Sequence, residues 1–145
     1  MATSSLRAGA PRESGIDAAL LILRLTLGIL LLIHGLGKLP PPPAFIIGVV
    51  TKAGLPEVLA YGVYVGEILA PILVIVGIWT RLAAVVIVVN MIAAVALAAM
   101  PMLLQLNKYG GYALEVEAFY LFTALALALT GAGRYSIGGR YGPLN

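Results

Sequence analysis

Cysteine is absent from the chain, and histidine occurs once, at His34. The first absence excludes disulfides, thiol redox chemistry, iron–sulfur clusters and thiolate metal ligands within this subunit. The second excludes a bis-histidine haem built from this chain alone and leaves open a ligand shared with a partner; no metal site is expected. Charge is scarce too: Asp, Glu, Lys and Arg make up 10% of the 145 residues, whereas 61% are hydrophobic and the mean hydropathy is +1.05. A soluble domain of this length does not carry such values, so the chain reads as an integral membrane protein whose first partner is the lipid bilayer. Its nine basic residues are scattered rather than gathered in a patch, which argues against nucleic acid.

Four stretches, at about 18–39, 58–79, 82–106 and 112–130, are long enough to cross a hydrocarbon core of roughly 30 Å. The expected fold is all-α: an integral membrane four-helix transmembrane bundle over 16–138, with a flexible N-terminal tail (1–15) and a C-terminal tail (139–145). The first span carries Arg24, His34 and Lys38 and runs on into further spans without a small-residue cleavage site, so it reads as a span rather than a removable signal peptide. If the spans alternate direction, Arg7, Arg12, Arg81, Arg134 and Arg140 share one side, opposite Lys38, Lys52 and Lys108. That bias places both termini in the cytoplasm.

Punctuation along the chain sets the helix ends. Four prolines, Pro40 to Pro43, terminate the first span because a proline run has no backbone donors. The apolar stretch 44–52 is too short to cross and is expected as an interfacial helix. Pro56 suits the first turn of the second span, and Pro71 predicts a kink that frees a carbonyl near Glu67. The second and third spans form an antiparallel hairpin across a very short turn near Trp79 and Arg81. Pro101 interrupts the third, and Gly110 and Gly111 turn the chain into the fourth, which Gly131 to Gly133 stop, with Arg134 suited to its last carbonyls. Small residues, among them Gly28, Gly35, Ala83, Ala84 and the alanines of 93–99, permit close helix approach in lipid.

The most informative residue is Glu67, a carboxylate near the middle of the second span, about 15 Å from either end. An unpaired charge there costs from a few to more than ten kcal/mol, so it must face protein, find a partner or bind a proton. Helical projection puts Arg24, His34 and Lys38 on one stripe, and counting rises places Arg24 and Asn90 at similar depth, Glu67 near the midplane, and His34, Tyr64, Glu115 and Glu117 in an outer layer. These groups are expected to converge on one column. Each also has a plain structural reading: an Arg24–Glu67 ion pair that fixes register, a hydrogen-bonded His34, a Lys38 that snorkels to headgroups, an Asn90 that joins two helices. Glu115 and Glu117 differ by about 200° around their helix, so both cannot point inward. The column can bind, orient and move protons, but holds no electron acceptor. A quinone suits it, its carbonyls needing donors and its reduction protons; the electrons must come from a partner or a bound cofactor.

Taken together, Leu23-Arg24-Leu25, His34-Gly35-Leu36-Gly37-Lys38-Leu39, Gly54-Leu55-Pro56, Gly66-Glu67, Thr80-Arg81-Leu82-Ala83-Ala84, Gly110-Gly111-Tyr112 and Gly131-Ala132-Gly133-Arg134-Tyr135-Ser136 resemble the DoxX family of small bacterial membrane proteins, over about 18–138. The resemblance implies a four-helix bundle in the bacterial inner membrane and a redox association, since relatives include the quinone-reducing subunit of a thiosulfate:quinone oxidoreductase. The family pattern carries over onto Arg24, His34, Lys38, Glu67 and Arg134, and its acidic residue of the fourth helix falls best on Glu115. The leading expectation is a redox subunit that binds a quinone or similar isoprenoid, not covalently, through Arg24, His34, Tyr64, Glu67, Asn90 and Glu115, with Arg24 neutralising Glu67. It works with a protein partner or as a homo-oligomer, and no residue is assigned a catalytic role. The rivals are a non-catalytic anchor or assembly subunit of a larger complex and, less favoured without an inverted repeat, a transporter.

Overall fold

The computed structural model describes residues 10–39 and 42–145. Among these it is helical, with an isolated antiparallel bridge between Leu106 and Tyr112 as its only β feature. Helix α1 spans Ala10–Leu36, α2 Ala44–Lys52, α3 Glu57–Val76, α4 Thr80–Met102 and α5 Glu115–Thr130. The stretches Glu13–Leu36, Glu57–Val76 and Thr80–Met102 are long and apolar enough to cross a membrane. The fourth expected span is realised as the 16 residues of α5, about 24 Å long. α1 begins at Ala10, so the end of the expected N-terminal tail is helical; 1–9, with Arg7, lie outside the described residues, as do Pro40 and Pro41.

Two prolines shape α3 and α4 alike. Each long helix contains a five-residue π-turn, Val65–Leu69 and Val95–Ala99, and in each a proline, Pro71 or Pro101, follows two residues after its end. A proline offers no N–H to the carbonyl four residues back, here Glu67 or Leu97, and the ladder slips to the wider turn around that gap. The expected disturbance at Pro71 is thus a π-turn with Glu67 in its middle.

The core draws on all four long helices: Leu27 and Leu31 of α1, Ala70 and Val74 of α3, Ala83, Ala84, Ile87 and Met91 of α4, and Ala124 and Leu127 of α5. Gly28 brings α1 against α3 so closely that a Cβ there would lie 2.5 Å from Ile75. Of the alanines read as packing contacts, Ala83 and Ala84 are buried, whereas Ala93, Ala94, Ala98 and Ala99 line a cavity.

One end of the bundle is closed by Arg24 and segment 131–145. Arg24, 1% exposed, donates to Val74 O (2.9 Å), Ile75 O (2.8 Å), Ala132 O (3.0 Å) and Tyr135 O (2.7 Å). Val74 and Ile75 lie in the last turn of α3, where carbonyls have no partner within the helix and a cation is favoured. Gly77, at φ 76°, leaves room for the guanidinium, since a Cβ there would collide with Arg24 Nη2. This overturns the expected Arg24–Glu67 pair: the carbonyls at the end of α3 engage Arg24 before it comes near Glu67. Nor does the Arg134 side chain serve the end of α5; Arg81 reaches Thr130 O at 3.4 Å, while Arg134 contributes its backbone N–H to Asp17. Asp17 also binds Arg140 at 2.9 Å, which pushes the arginine up from its ordinary value, and Asn145 Oδ1 accepts from Thr80 N (3.1 Å) and Oγ1 (2.8 Å) at the start of α4. Arg24→Lys keeps the charge but offers three single N–H bonds in place of a planar fork. It should lower stability by about 3 kcal/mol, read by thermal unfolding in detergent, and an unchanged midpoint would contradict the latch.

Candidate functional site

Lys38 emerges from the turn after α1, about 20 Å along the helix from Arg24. Its amide donates to Gly35 O (3.1 Å) and its carbonyl accepts from the Tyr64 hydroxyl (3.0 Å), so both sides of its backbone are fixed. The ammonium then grips both oxygens of Glu67, at 2.7 Å (Oε1) and 2.6 Å (Oε2). Glu67 is 2% exposed, and Asn90 of α4 approaches Oε1 at 3.4 Å. Two glycines make the approach possible. A Cβ on Gly35 would collide with the Glu67 carbonyl, and one on Gly66 would collide with the Asn90 amide. Three helices thus meet at one carboxylate.

The pair forms part of the wall of a partly open cavity of about 690 Å³, within the range of small-molecule sites. Its walls are mostly apolar, with Leu31 from α1, Val63 from α3 and Val86, Val89 and Leu97 from α4, while Phe45, Ile46 and Val49 of α2 flank it. His34, Glu117 and Tyr120 complete the polar lining, and none of the three makes a hydrogen bond among the described residues.

A comparison with known families fits this geometry. The DoxX family matches residues 19–100, more than half of the chain. The chain belongs to the DoxX family. Long apolar helices and DoxX membership together make it a multi-pass membrane protein. No curated protein matches it, and no solved structure does. The DoxX match is shorter than the stretch 18–138 over which the motifs were traced; it takes in Arg24, His34, Lys38, Tyr64, Glu67 and Asn90 but stops before α5.

Of the residues singled out in the sequence of this DoxX protein, Glu67 and Asn90 come together and His34 shares their cavity, while Tyr64 stands behind, holding the backbone of Lys38. Arg24 belongs to the far end of the bundle, so the single polar column divides into two clusters. Glu115 is exposed and absent from the cavity wall, where Glu117 stands half-buried instead. As expected, the two glutamates do not both face the cavity: the one that does is Glu117, not the Glu115 that the resemblance favoured. Lys38, read as snorkelling, is the partner of Glu67. The signal was present: Lys38 follows His34 by four residues, and a buried carboxylate required a cation.

The pair is asymmetric. The Lys38 side chain keeps 23% of its exposure and can turn away, whereas the Glu67 carboxylate, at 3%, cannot. Lys38→Met should therefore cost about 3 kcal/mol by stranding a buried charge, and adding Glu67→Gln should restore most of that loss. Denaturant titration of the singles and the double checks this; a double variant as unstable as the sum of the singles would dismiss the pair as the source of the effect.

Proposed function

We propose that this chain is the membrane subunit of a redox system and binds a quinone or similar isoprenoid in the large cavity, with the polar head at the Lys38–Glu67 pair. The observation that carries this reading is a largely buried ion pair set in a mostly apolar, partly open chamber. That arrangement suits a molecule with a long apolar tail and a small polar ring.

A quinone, when bound, supplies two-electron, two-proton chemistry. This chain's residues hold and protonate. Lys38 Nζ retains one N–H beyond the two given to Glu67 and donates it to a ligand oxygen, while the Tyr120 hydroxyl and the His34 ring offer further donors. His34, on the exposed rim, relays protons to the ligand. Glu67 holds Lys38 in place, and Asn90 steadies Glu67. Electrons arrive from a protein partner.

In this reading the four long helices form a transmembrane bundle in the bacterial inner membrane, and α2 lies at its outer interface beside the cavity. Arg81, Arg134 and Arg140 gather at the end that holds the start of α1 and segment 131–145, which supports the reading that both termini are cytoplasmic. The shortfall of α5 against a hydrocarbon core of roughly 30 Å is met by local thinning and flanking segments.

Native mass spectrometry of the protein released from its own membranes reads ligands and partners in one spectrum. The expected result is a quinone-mass adduct that disappears in Glu67→Gln while the variant stays folded. An adduct indifferent to Glu67→Gln would refute the site, and a stoichiometric protein partner with no adduct would make this chain an anchor.

A further inference from the structure

The charges that face the large cavity do not balance. Lys38 is the one lysine or arginine that lines it among the described residues, and two of its three N–H bonds go to Glu67. Glu117 faces the same space from α5, half-buried and without an ion-pair or hydrogen-bond partner among the described residues. With His34 neutral, the lining sums to one cation, Lys38, against two carboxylates, Glu67 and Glu117. A protonated His34 brings the sum to zero, never to a positive surplus.

Glu117 also occupies a particular place. Together with Met91 it lines a second cavity of about 370 Å³, whose remaining wall contains no Lys, Arg or His. A cation from that side therefore does not neutralise it. Tyr120, one turn along α5 from Glu117, lines the same cavity as Glu117 and Glu67, so the two carboxylates act on one region of the chamber. In an apolar site a charge acts over longer distances than in water, and like charges are strongly penalised.

A partly open cavity in a membrane protein is within reach of many molecules with the same tail chemistry as an isoprenoid, among them fatty acids and acidic phospholipids. An apolar wall cannot tell their tails apart; a fixed charge at the head can, by repulsion. We infer that this cavity accepts amphiphiles with a neutral or cationic head and rejects those with an anionic head, and that Glu117 sets the choice. The inference rests on the ligand-binding reading above and narrows its ligand class.

The test uses the full chain in phosphatidylcholine nanodiscs and three photoreactive dodecyl probes whose heads are hydroxyl, trimethylammonium and sulfonate, so that their charges do not vary with pH. Crosslinks to α3, α4 and α5 are counted by peptide mass spectrometry. The expected result is at least about tenfold less labelling by the sulfonate than by the other two, narrowing to about threefold in Glu117→Gln and unchanged in the exposed control Glu115→Gln. Equal labelling by all three heads in the unaltered protein would overturn the inference without recourse to any variant, and so would a Glu117→Gln protein that rejects the sulfonate as strongly as the unaltered one. Competition by a decyl-chain benzoquinone separates the two readings. If it fails to displace the hydroxyl probe while the head preference persists, the quinone assignment falls and the charge filter stands.

Discussion

A carboxylate in the apolar middle of a helix bundle has few ways to be tolerated, and the arrangement around Glu67 follows from the one taken here. Glu67 is buried, so a compensating charge is needed beside it, and Lys38 supplies it in a bidentate contact. The contact dictates backbone features on three helices. α1 must end early enough for its exit turn to swing Lys38 inward, which it does at Leu36. Gly35 must lack a side chain so that this turn meets the Glu67 carbonyl, and Gly66 must lack one so that Asn90 reaches the carboxylate. The π-turn that Pro71 imposes sets the angle at which Glu67 leaves α3.

The two polar clusters divide the labour of the bundle. At the closed end Arg24 spends all its bonds on backbone carbonyls, tying α1 to the end of α3 and to the segment after α5, while Asp17 and Asn145 fasten the same segment. Among the described residues, no buried side-chain nitrogen or oxygen there lacks a partner. At the other end His34, Glu117, Tyr120 and one N–H of Lys38 remain uncommitted beside a chamber. Groups left unbonded next to a cavity are where a ligand is recognised; groups saturated in the interior hold the fold.

Much of this was legible in the sequence. Composition and apolar run lengths gave the helical membrane class, and the nine residues 44–52 form a helix with the bounds expected from the prolines and glycines around them. Glu67 stood out because charge in a span is costly. The errors share a cause: depth along a helix can be counted from sequence, but direction and partner cannot. Arg24 and Glu67 looked complementary because each was the other's obvious counter-charge, yet the free carbonyls of a helix end are equally good partners for a guanidinium and carry no signature in the sequence. Lys38 looked peripheral because straight helical counting set it at the outer end of the span, when the chain in fact turns there after Leu36. Glu117 was passed over for Glu115 because the choice rested on the resemblance, and spacing along a helix does not say which of its faces points inward.

The claim that ties fold to function is that the Lys38–Glu67 pair exists and that a ligand touches it. Infrared difference spectroscopy on protein labelled with ¹³C-carboxyl glutamate, with and without a decyl-chain benzoquinone, reads both at once. The account predicts a carboxylate band that vanishes in Glu67→Gln and shifts when the quinone is added. A Glu67 signal in the protonated carbonyl region of the unliganded protein, or a carboxylate band that the quinone leaves in place, would contradict it.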